Sequence, residues 1–310
     1  MIRLNLMAGM GNQMFEYAFA RALSLEYREE LEINPYFMTL AGFGAGRKGY
    51  FNNVLSCLNI PEEILFLNKK MGYLHGVPDI VEFVTMRKHH DGIKLHGEQQ
   101  FSQMCSKGKI YTDDCFTYYP YIENKAKIKK IIGYYQSEKY FAPYSPVIKK
   151  ELLVNKEPSD NNKRKIEELN SCNAVCVHIR RGDYISNQKN EALVVCDENY
   201  YRKGMRYIAE RTKNPVFYIF SDNLKEIEWI KQNYHFDFDV QYIELNNPDY
   251  EELRLMYQCK HFVIANSTFS WWGSYLAANA NEDKIIVAPK IWNKNYSGKF
   301  DIYTEKMILI

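Results

Sequence analysis

The amino-acid sequence predicts an α/β fold in which two halves, each built on a mainly parallel sheet, face one another across a cleft. The chain has 310 residues, which is enough for two medium-sized domains with separate cores. Its second half alternates short apolar runs with amphipathic helical segments, the pattern of a doubly wound sheet. Its first residues form a strand, a glycine turn and a helix, the unit from which such sheets are assembled.

The first predicted unit lies at the start of the chain. Ile2 to Met7 predicts a strand, and Met14 to Leu25 predicts a helix because apolar residues recur there at helical spacing. Between them Gly9 and Gly11 form a tight turn, and the backbone N–H groups at the start of such a helix suit an anion. The two glycines are equally compatible with a turn that binds nothing.

The rest of the first half is less regular, and we expect mostly short elements there. The predicted features are a glycine-rich loop at 41–46, short strands at 64–67 and 93–95, a solvated charged helix face at 125–130 and a strand at 131–137. The best candidate for a linker runs from Glu157 to Asn162, because proline, serine and asparagine interrupt strand and helix patterns there. We therefore divide the chain into domains 1–158 and 159–310.

Beyond that linker, strand and helix patterns alternate without interruption. Apolar runs predict strands at 174–179, 216–221, 240–245, 262–265 and 285–288. Helical spacing predicts helices at 162–169, 198–211, 224–234, 248–259 and 270–280. Because the carboxyl ends of parallel strands share one edge of a sheet, the residues that follow these strands are candidates for a common ligand site.

Composition and charge exclude several classes of protein. Forty basic and 38 acidic side chains leave a net charge of +2, so nothing indicates nucleic acid as a partner. The seven cysteines include no C-x-x-C spacing, which indicates reduced thiols in a cytoplasmic protein rather than a zinc site or a disulfide framework. No segment approaches the roughly 18 apolar residues of a membrane span, and the first residues lack the features of a signal peptide.

The strand predicted at 174–179 ends in the sequence His-Ile-Arg-Arg-Gly-Asp, which places two cations at the edge of a core strand. Alternation along the strand puts His178 and Arg180 on one face and Arg181 on the other. We expect Arg180 to reach an anionic ligand and Arg181 to brace the loop. The alternative is a structural ion pair, for example between Arg181 and Asp183.

Two further strand ends complete a candidate site for a nucleoside diphosphate. Asp222 follows the second strand and can accept two hydrogen bonds from a guanine edge or a ribose diol. Asn266, Ser267 and Thr268 follow the fourth strand and open a helix, whose N-terminal N–H groups suit phosphate. Arg180 can contact two phosphate oxygens at once.

Each of these residues also has an ordinary structural interpretation. Asp222 fits the N-cap of the helix predicted at 224–234, and either Thr268 or Ser270 fits the N-cap of the helix that follows the fourth strand. At least one of the tryptophans at positions 271 and 272 is expected to lie in the core. The convergence of three strand ends favours the ligand site over these alternatives.

A metal site is not expected. The sequence Asp-Phe-Asp at 237–239 resembles a metal-binding pair, but it precedes a strand instead of following one, so we predict a surface turn. The run His-His-Asp at 89–91 lacks the spacing of metal ligands on a helix. We interpret it as a loop that is a candidate for lining an acceptor cleft.

Five segments resemble the α-1,2-fucosyltransferases of glycosyltransferase family 11, in that family's order and over nearly the whole chain. They are residues 9–18 (GMGNQMFEYA), 133–141 (GYYQSEKYF), 178–184 (HIRRGDY), 221–223 (SDN) and 266–273 (NSTFSWWG). The resemblance implies a GT-B-type fold of two Rossmann-like domains facing a cleft, GDP-fucose as the donor and no obligatory metal or other cofactor. It also implies inversion to an α-1,2 product on a galactose-terminated glycan. Ala8 is one departure, since the family more often has a glycine pair at this turn.

The resemblance also assigns roles to individual residues. The implied catalytic residues are Arg180, which would hold the β-phosphate of the donor, Asn12 near the reacting centre, and Asp183. The implied binding residues are Gly9, Gly11, Gln13, His178, Arg181, Asp222, Asn266, Ser267, Thr268 and Ser270. Residues 1–158 would form the acceptor side and residues 159–310 the GDP-fucose-binding domain. The general base is left open between Asn12 and Glu16, which lies one helical turn further on.

Two other functions remain open on the sequence. One is an α-1,6 or O-linked type of fucosyltransferase, which shares the arginine at the strand end. The other is a non-catalytic nucleotide-sugar-binding protein. The lack of a membrane anchor is similar to the bacterial members of the family, which implies a cytoplasmic enzyme of surface glycan synthesis. Peripheral association with a membrane is left open.

Overall fold

A computed structural model describes residues 1–40, 53–89, 97–112, 114–277 and 283–310. The chain forms two compact units. Unit 1 comprises Met1–Leu153 and Gly298–Thr304, and unit 2 comprises Val154–Ser297 and Glu305–Ile310. The glycine-rich loop expected at 41–46 and the strand expected at 93–95 lie outside the described residues.

Unit 1 contains a five-stranded parallel sheet with the order β3-β2-β1-β5-β4. The strands are β1 (Ile2–Asn5), β2 (Leu31–Asn34), β3 (Leu65–Phe66), β4 (Lys109–Tyr111) and β5 (Lys129–Ile132). Every residue of β1 is buried, as expected for the central strand of a sheet that is covered on both faces. The strands predicted at the start of the chain and at 64–67 are confirmed.

The charged helix face expected at 125–130 is wrong, because residues 129 and 130 belong to β5 and pair with both neighbouring strands. Lys125 and Lys127 are exposed, as expected, but Lys129 and Lys130 are not part of a solvated face. Lys129 is buried and forms an ion pair with Glu29, and Nζ of Lys130 lies 2.6 Å from Oδ1 of Asp79. Carboxylates elsewhere in unit 1 therefore neutralise these two cations.

The described part of unit 1 contains five α-helices, and the sequence revealed only one of them clearly. They are α1 (Met10–Tyr27), α2 (Phe37–Leu40), α3 (Lys69–His89), α4 (Glu98–Cys105) and α5 (Ser145–Glu151). Helix α1 confirms the first predicted helix. Helix α3 was obscured because it contains Pro78 and Gly72, both poor helix formers. Gly72 is needed for packing, since a Cβ there would lie 2.6 Å from Cδ2 of Tyr36.

Unit 2 contains a six-stranded parallel sheet with the order β11-β10-β9-β6-β7-β8. The strands are β6 (Asn173–Ile179), β7 (Pro215–Ser221), β8 (Val240–Tyr242), β9 (His261–Val263), β10 (Ile286–Ala288) and β11 (Met307–Leu309). The first five confirm the five predicted strands. The sixth, β11, was not predicted.

Helices pack against this sheet in the alternating order that the sequence predicts. They are α6 (Asp160–Ser171), α7 (Gly182–Ser186), α8 (Glu198–Ala209), α9 (Leu224–Asn233), α10 (Asp249–Met256) and α11 (Thr268–Leu276). Val175, Val177, Ile219 and Val263 form the centre of one core layer, and all four are completely buried. None of the helices in the described ranges is long and apolar enough to cross a membrane.

In the sheet of unit 2 the order of strands along the chain reverses between β6 and β9. In the sheet of unit 1 the chain runs outward from β1 to β3 and then places β4 at the opposite edge, so that β5 lies between β4 and β1. Counted from β6, the second sheet has the order 3-2-1-4-5-6, which is that of dinucleotide-binding Rossmann domains. Ligands of such sheets bind outside the carboxyl ends of the strands at the reversal. The turns that follow β6 and β9 are therefore the places to look for a site in unit 2. In unit 1 the turns that follow the adjoining central strands β1 and β5 are considered as well.

Candidate active site

Arg180 is the first residue after β6, at the reversal in the sheet of unit 2. Two carboxylates hold its guanidinium: Nη2 lies 2.6 Å from Oδ1 of Asp183, and Nη1 bonds to Oδ1 of Asp222. The Arg180 side chain keeps 20% of its surface exposed, so solvent still reaches part of it. A guanidinium whose plane is fixed in this way is pre-organised to bind a phosphate in one orientation.

Asp222 follows β7 and uses both carboxylate oxygens within the protein. Oδ1 pairs with Arg180, and Oδ2 accepts the backbone N–H groups of Arg181 and Gly182, each at 2.8 Å. The N-cap of α9 is Asn223, whose side chain accepts a backbone N–H of the first turn. The alternative that Asp222 caps this helix is therefore wrong. Asp222 instead fastens the loop after β6 to the end of β7.

Arg181 points away from Arg180 and contacts α9. Its Nε donates to Oε2 of Glu226 at 3.0 Å, and its guanidinium carbon lies 3.2 Å from the centroid of a ring of Trp229. The structural alternative of an ion pair between Arg181 and Asp183 is wrong, because Asp183 pairs with Arg180. Contacts with α9 on this side of the strand end brace the loop that carries Arg180.

The turn from β9 into α11 is tied to its neighbours through Asn266, which is buried. Its side-chain amide donates to the carbonyl oxygens of Leu193 at 2.8 Å and Trp292 at 2.9 Å. Its own backbone carbonyl accepts the hydroxyl of Tyr184 at 2.9 Å. Because Tyr184 lies on α7, the short helix that follows β6, these bonds bring two of the predicted strand ends together.

Helix α11 begins at this turn. Ser267 is its N-cap residue, although the Ser267 side chain makes no capping bond, and Thr268 is its first helical residue. Neither Thr268 nor Ser270 is the N-cap, so that alternative is wrong. Ser270 is completely buried, with its hydroxyl 3.1 and 3.2 Å from two carbonyl oxygens of the turn. Trp271 and Trp272 are both completely buried, which confirms the prediction that at least one lies in the core.

His178 is buried near the carboxyl end of β6, with its ring centroid 6.0 Å from that of Phe269. Burial lowers the pKa of His178 to about 4, while the charge of Asp222 raises it and that of Arg180 lowers it. Its Nδ1 has no hydrogen-bond partner among the described residues. At neutral pH the imidazole is uncharged, so the positive charge at this strand end comes from the arginines.

The turns that follow the adjoining strands β1 and β5 of unit 1 contribute a second polar pair. Oδ1 of Asn12, in the first turn of α1, accepts a hydrogen bond from Nε2 of Gln136 at 2.9 Å. Gln136 follows β5, so the pair joins the turns that follow two neighbouring strands, β1 and β5. Gly9 is the N-cap residue of α1 and Gly11 is buried in its first turn. Gln136 was not among the predicted site residues, although it belongs to one of the five segments that resemble the fucosyltransferase family and to the strand predicted at 131–137.

Buried polar groups shape the turn between β1 and α1. Ala8 has φ of 58°, a left-handed conformation, and its carbonyl oxygen accepts Nε2 of Gln13 at 2.9 Å. Oε2 of Glu16 accepts the backbone N–H of Met7 at 2.8 Å. Glu16 is completely buried, and burial raises the pKa of its carboxyl well above the usual range. Gln13 and Glu16 therefore support the turn from inside the protein, and Glu16 does not present an exposed carboxylate.

No group of three His, Cys, Asp or Glu side chains in the described part of the chain is arranged to hold a metal ion. Asp237 lies in a turn before β8 and pairs with Arg202 at 2.5 Å and Arg206 at 2.7 Å. This confirms the predicted surface turn. His89 is the last residue of α3, and the remainder of the His-His-Asp run lies outside the described residues.

Comparison with known proteins identifies the family to which this strand-end geometry belongs. The model of glycosyl transferase family 11 matches residues 100–308. The alpha-1,2-colitosyltransferase of Escherichia coli is 30% identical over 320 aligned positions, which cover 98% of this chain and 97% of that protein. The chain belongs to glycosyl transferase family 11. It is a glycosyltransferase, as the sequence predicts.

Two further relatives match this family 11 glycosyltransferase over different spans. The O-antigen biosynthesis glycosyltransferase WbnK of Escherichia coli is 29% identical over 302 positions, which cover 93% of each chain. The galactoside alpha-(1,2)-fucosyltransferase 1 of Rattus norvegicus is 32% identical over 107 residues, 33% of this chain and 28% of that protein. Similarity to the second is therefore confined to about a third of the chain.

A solved structure shares the fold. The fucosyltransferase NodZ from Bradyrhizobium matches with a TM-score of 0.50 at 11% identity, covering 88% of this chain and 91% of that one. Together with the two parallel sheets, this likeness confirms the predicted GT-B-type α/β fold with two Rossmann-like units.

One charged residue of this family 11 glycosyltransferase lies near Arg180 and was not among the predicted site residues. Asp249 is the first residue of α10 and follows the third strand of the unit 2 sheet, β8. The pKa of its carboxyl is raised, chiefly because the surrounding protein limits its hydration, while Arg180 lowers it and Asp222 raises it. Extending the strand-end argument to this third strand would have found it.

Proposed function

We propose that this enzyme transfers L-fucose from GDP-β-L-fucose to the 2-hydroxyl of a terminal galactoside, with inversion, during synthesis of a bacterial surface glycan. The observation that carries the proposal is the pre-organised Arg180 at the reversal of a Rossmann-type sheet. Similarity over most of the chain to an alpha-1,2-colitosyltransferase and an O-antigen glycosyltransferase supports the linkage and the biological setting. Partial similarity to a galactoside alpha-(1,2)-fucosyltransferase supports the sugar and the acceptor.

We assign donor binding to unit 2. This unit contains most of the residues of the domain predicted at 159–310. Arg180 would contact the β-phosphate, while Ser267, Thr268 and the N-terminal N–H groups of α11 would contact the remaining phosphate oxygens. His178 would pack against the nucleoside. Both oxygens of Asp222 are already bonded within the protein, so we assign it the role of positioning Arg180.

The two carboxylates that hold Arg180 differ in how firmly they are fixed. Asp222 keeps 8% of its side-chain surface exposed and is anchored by two backbone N–H groups. Asp183 keeps 28% exposed. An incoming phosphate would therefore displace Asp183 from Nη2 while Asp222 holds the guanidinium in place. The arginine would then neutralise the charge that builds on GDP as the bond to fucose breaks.

We assign acceptor binding to unit 1. This unit contains most of the residues of the domain predicted at 1–158. Oδ1 of Asn12, oriented by Gln136, would accept a hydrogen bond from the attacking hydroxyl. A weak acceptor is sufficient if departure of GDP runs ahead of attack, because the oxocarbenium-like sugar then reacts with a hydroxyl that is still largely protonated. Glu16 is an unsuitable base, since it is completely buried and its carboxyl has a raised pKa.

A second donor is favoured by one observation. The relative that matches 98% of this chain is named for transfer of colitose. Colitose is the 3-deoxy analogue of L-fucose, so the two donors differ by a single hydroxyl group. A site that hydrogen-bonds this hydroxyl would discriminate strongly against the deoxy sugar, whereas an apolar site would discriminate only weakly.

The test is transfer by the purified protein from GDP-fucose or GDP-colitose, in parallel, to lactose and N-acetyllactosamine, with and without excess EDTA. Products would be analysed by mass and by linkage. We expect an α-1,2-fucosylated product that survives EDTA. Arg180→Lys should slow its formation about 10²–10³-fold. Arg202→Lys, at an arginine paired with Asp237 in the turn before β8, is the matched control that should keep the parent rate.

Each other outcome corrects a defined part of the proposal. If only colitosylated product formed, the donor would be GDP-colitose instead of GDP-fucose. An α-1,6 product would overturn the proposed α-1,2 linkage. Product that disappears in EDTA would overturn metal independence. Binding of GDP-fucose without turnover on either acceptor would favour a non-catalytic nucleotide-sugar-binding protein. No binding of either donor would overturn the phosphate role of Arg180.

A further inference from the structure

Helix α3 of unit 1 turns a line of apolar side chains toward solvent. Leu74, Val77, Val81 and Val84, which we name the α3 stripe, are 62%, 50%, 59% and 42% exposed. Their spacing along the helix places them on one side of it. Single exposed apolar residues are ordinary on a protein surface, but a continuous line of four marks an interaction surface.

The opposite side of α3 faces the protein and carries the carboxylates of the helix. Asp79 is 1% exposed, accepts Nδ2 of Asn5 at 3.1 Å and lies 2.6 Å from Nζ of Lys130. Oε1 of Glu82 lies 2.6 Å from Nζ of Lys109. The inward side of α3 therefore carries charged groups together with Phe83, which lies in a core cluster, while the four side chains of the α3 stripe face outward. These ion pairs fix which face is exposed.

The α3 stripe has a positive border. Lys69 and Lys70 are exposed at the start of the helix, one turn before the stripe begins. From Ile64 to Thr85 the only carboxylates are Asp79 and Glu82, and both are paired with lysines of unit 1. An apolar line bordered by lysines and without exposed acids is the chemistry that binds an anionic lipid surface.

The extent and composition of the α3 stripe argue against a second copy of the chain as its occupant. Four partly exposed aliphatic side chains offer on the order of 300 Å² of apolar surface, whereas a stable protein–protein interface buries about 800 Å² on each partner. The stripe also contains none of the Trp, Tyr or Arg side chains that dominate such interfaces.

We propose that the α3 stripe docks this enzyme on an anionic membrane surface, with Leu74, Val77, Val81 and Val84 inserted among the lipids and Lys69 and Lys70 beside the headgroups. The net charge of +2 gives no indication of this, because the feature is local to one helix face. Docking by unit 1 would hold the enzyme beside glycans carried on lipid. The inference does not depend on which sugar is transferred.

The test is co-sedimentation of the purified full chain with vesicles of phosphatidylcholine alone or with added phosphatidylglycerol. We expect binding to the anionic vesicles. Val77→Asp combined with Val81→Asp should weaken it at least about tenfold, because two inserted side chains become charged. Val147→Asp is the matched control: Val147 lies on α5 of the same unit and is 39% exposed, and the variant should bind like the parent. Circular dichroism and urea unfolding would check the fold of each variant.

The lysine border is tested separately. Lys69→Glu combined with Lys70→Glu should remove the preference for anionic vesicles. Failure of the parent protein to bind either vesicle would overturn the proposal, as would equal losses in the Val147→Asp control. The parent protein could instead form a concentration-dependent dimer and fail to bind vesicles. If that dimer were lost in the Val77→Asp, Val81→Asp variant, the occupant of the α3 stripe would be a second copy of the chain, and the proposal of a lipid surface would be overturned.

Discussion

Arg180 and Arg181 are adjacent in the sequence, yet the same substitution should have different consequences at each. Arg180→Lys keeps the positive charge but loses the planar fork that bonds to Asp183 and Asp222. Loss of one pre-organised donor to the developing charge typically costs about 10²–10³ in rate, or about 3–4 kcal/mol. We expect most of this loss in kcat, because the charge on the diphosphate appears as the transition state forms.

Arg181→Lys should act mainly on stability. The planar guanidinium lies 3.2 Å from a ring centroid of Trp229 and donates to Glu226 at 3.0 Å. Lysine can keep the charge but not this stacked contact, so the free energy of unfolding should fall by about 1–2 kcal/mol. The value of kcat should change by less than about threefold, since the loop remains tied to Asp222 through backbone N–H groups.

Two measurements on the same preparations separate these effects. Release of GDP during transfer gives kcat and KM, and urea unfolding gives the free energy of unfolding. Equal losses of kcat in both variants with unchanged unfolding would refute the division of roles between Arg180 and Arg181. So would an Arg180→Lys variant that loses stability but keeps its kcat.

Three further predictions concern the ends of β1 and β6 and the turns that follow these strands. Ala8→Gly should raise the free energy of unfolding by about 1 kcal/mol in urea titrations, because alanine is strained at φ of 58° and glycine is not; an unchanged or lower value would contradict this. Gly182→Ala should lower kcat/KM while leaving the free energy of unfolding nearly unchanged. The added Cβ would lie 3.1 Å from Cγ of Asp222 and push the carboxylate that holds Arg180. A variant with full activity would contradict this prediction. The pKa of His178 falls from 6.5 to about 4 on folding, so the unfolded chain binds the proton at a higher pH than the folded chain does. The free energy of unfolding is therefore highest above pH 6.5 and decreases as the pH falls to about 4. Relative to His178→Asn, the parent protein should lose about 3 kcal/mol over that range, and parallel urea-unfolding curves would refute the assignment.

Unit 2 was largely predictable because its signals are local. Five apolar runs and the amphipathic segments between them correspond to β6–β10 and to the helices beside them. Such periodicity reflects only which face of an element is buried, and it needs no knowledge of distant residues. The edge position of the His178–Asp183 segment followed from the same reasoning, since carboxyl ends of parallel strands share one edge.

Unit 1 was less predictable because tertiary contacts override local preferences there. Helix α3 tolerates Pro78 and requires Gly72, whose lack of a side chain lets the helix pack against Tyr36. Lys129 belongs to a buried strand because Glu29 neutralises it. Neither contact leaves a trace in a window of neighbouring residues. The return of Gly298–Thr304 to unit 1 is equally invisible in the sequence.

The sequence by itself determined which chemical groups stand at the strand ends, because strand length and alternation are properties of a few consecutive residues. Only the tertiary structure decided their partners. Arg180 and Asp222 meet across 42 positions because β6 and β7 are parallel neighbours, in a register that sets Ile179 beside Ser221. Likewise Asn12 meets Gln136 because β1 and β5 are neighbours in the sheet of unit 1. Strand order and register arise from packing of the whole sheet, so these pairings could not be read from either segment alone.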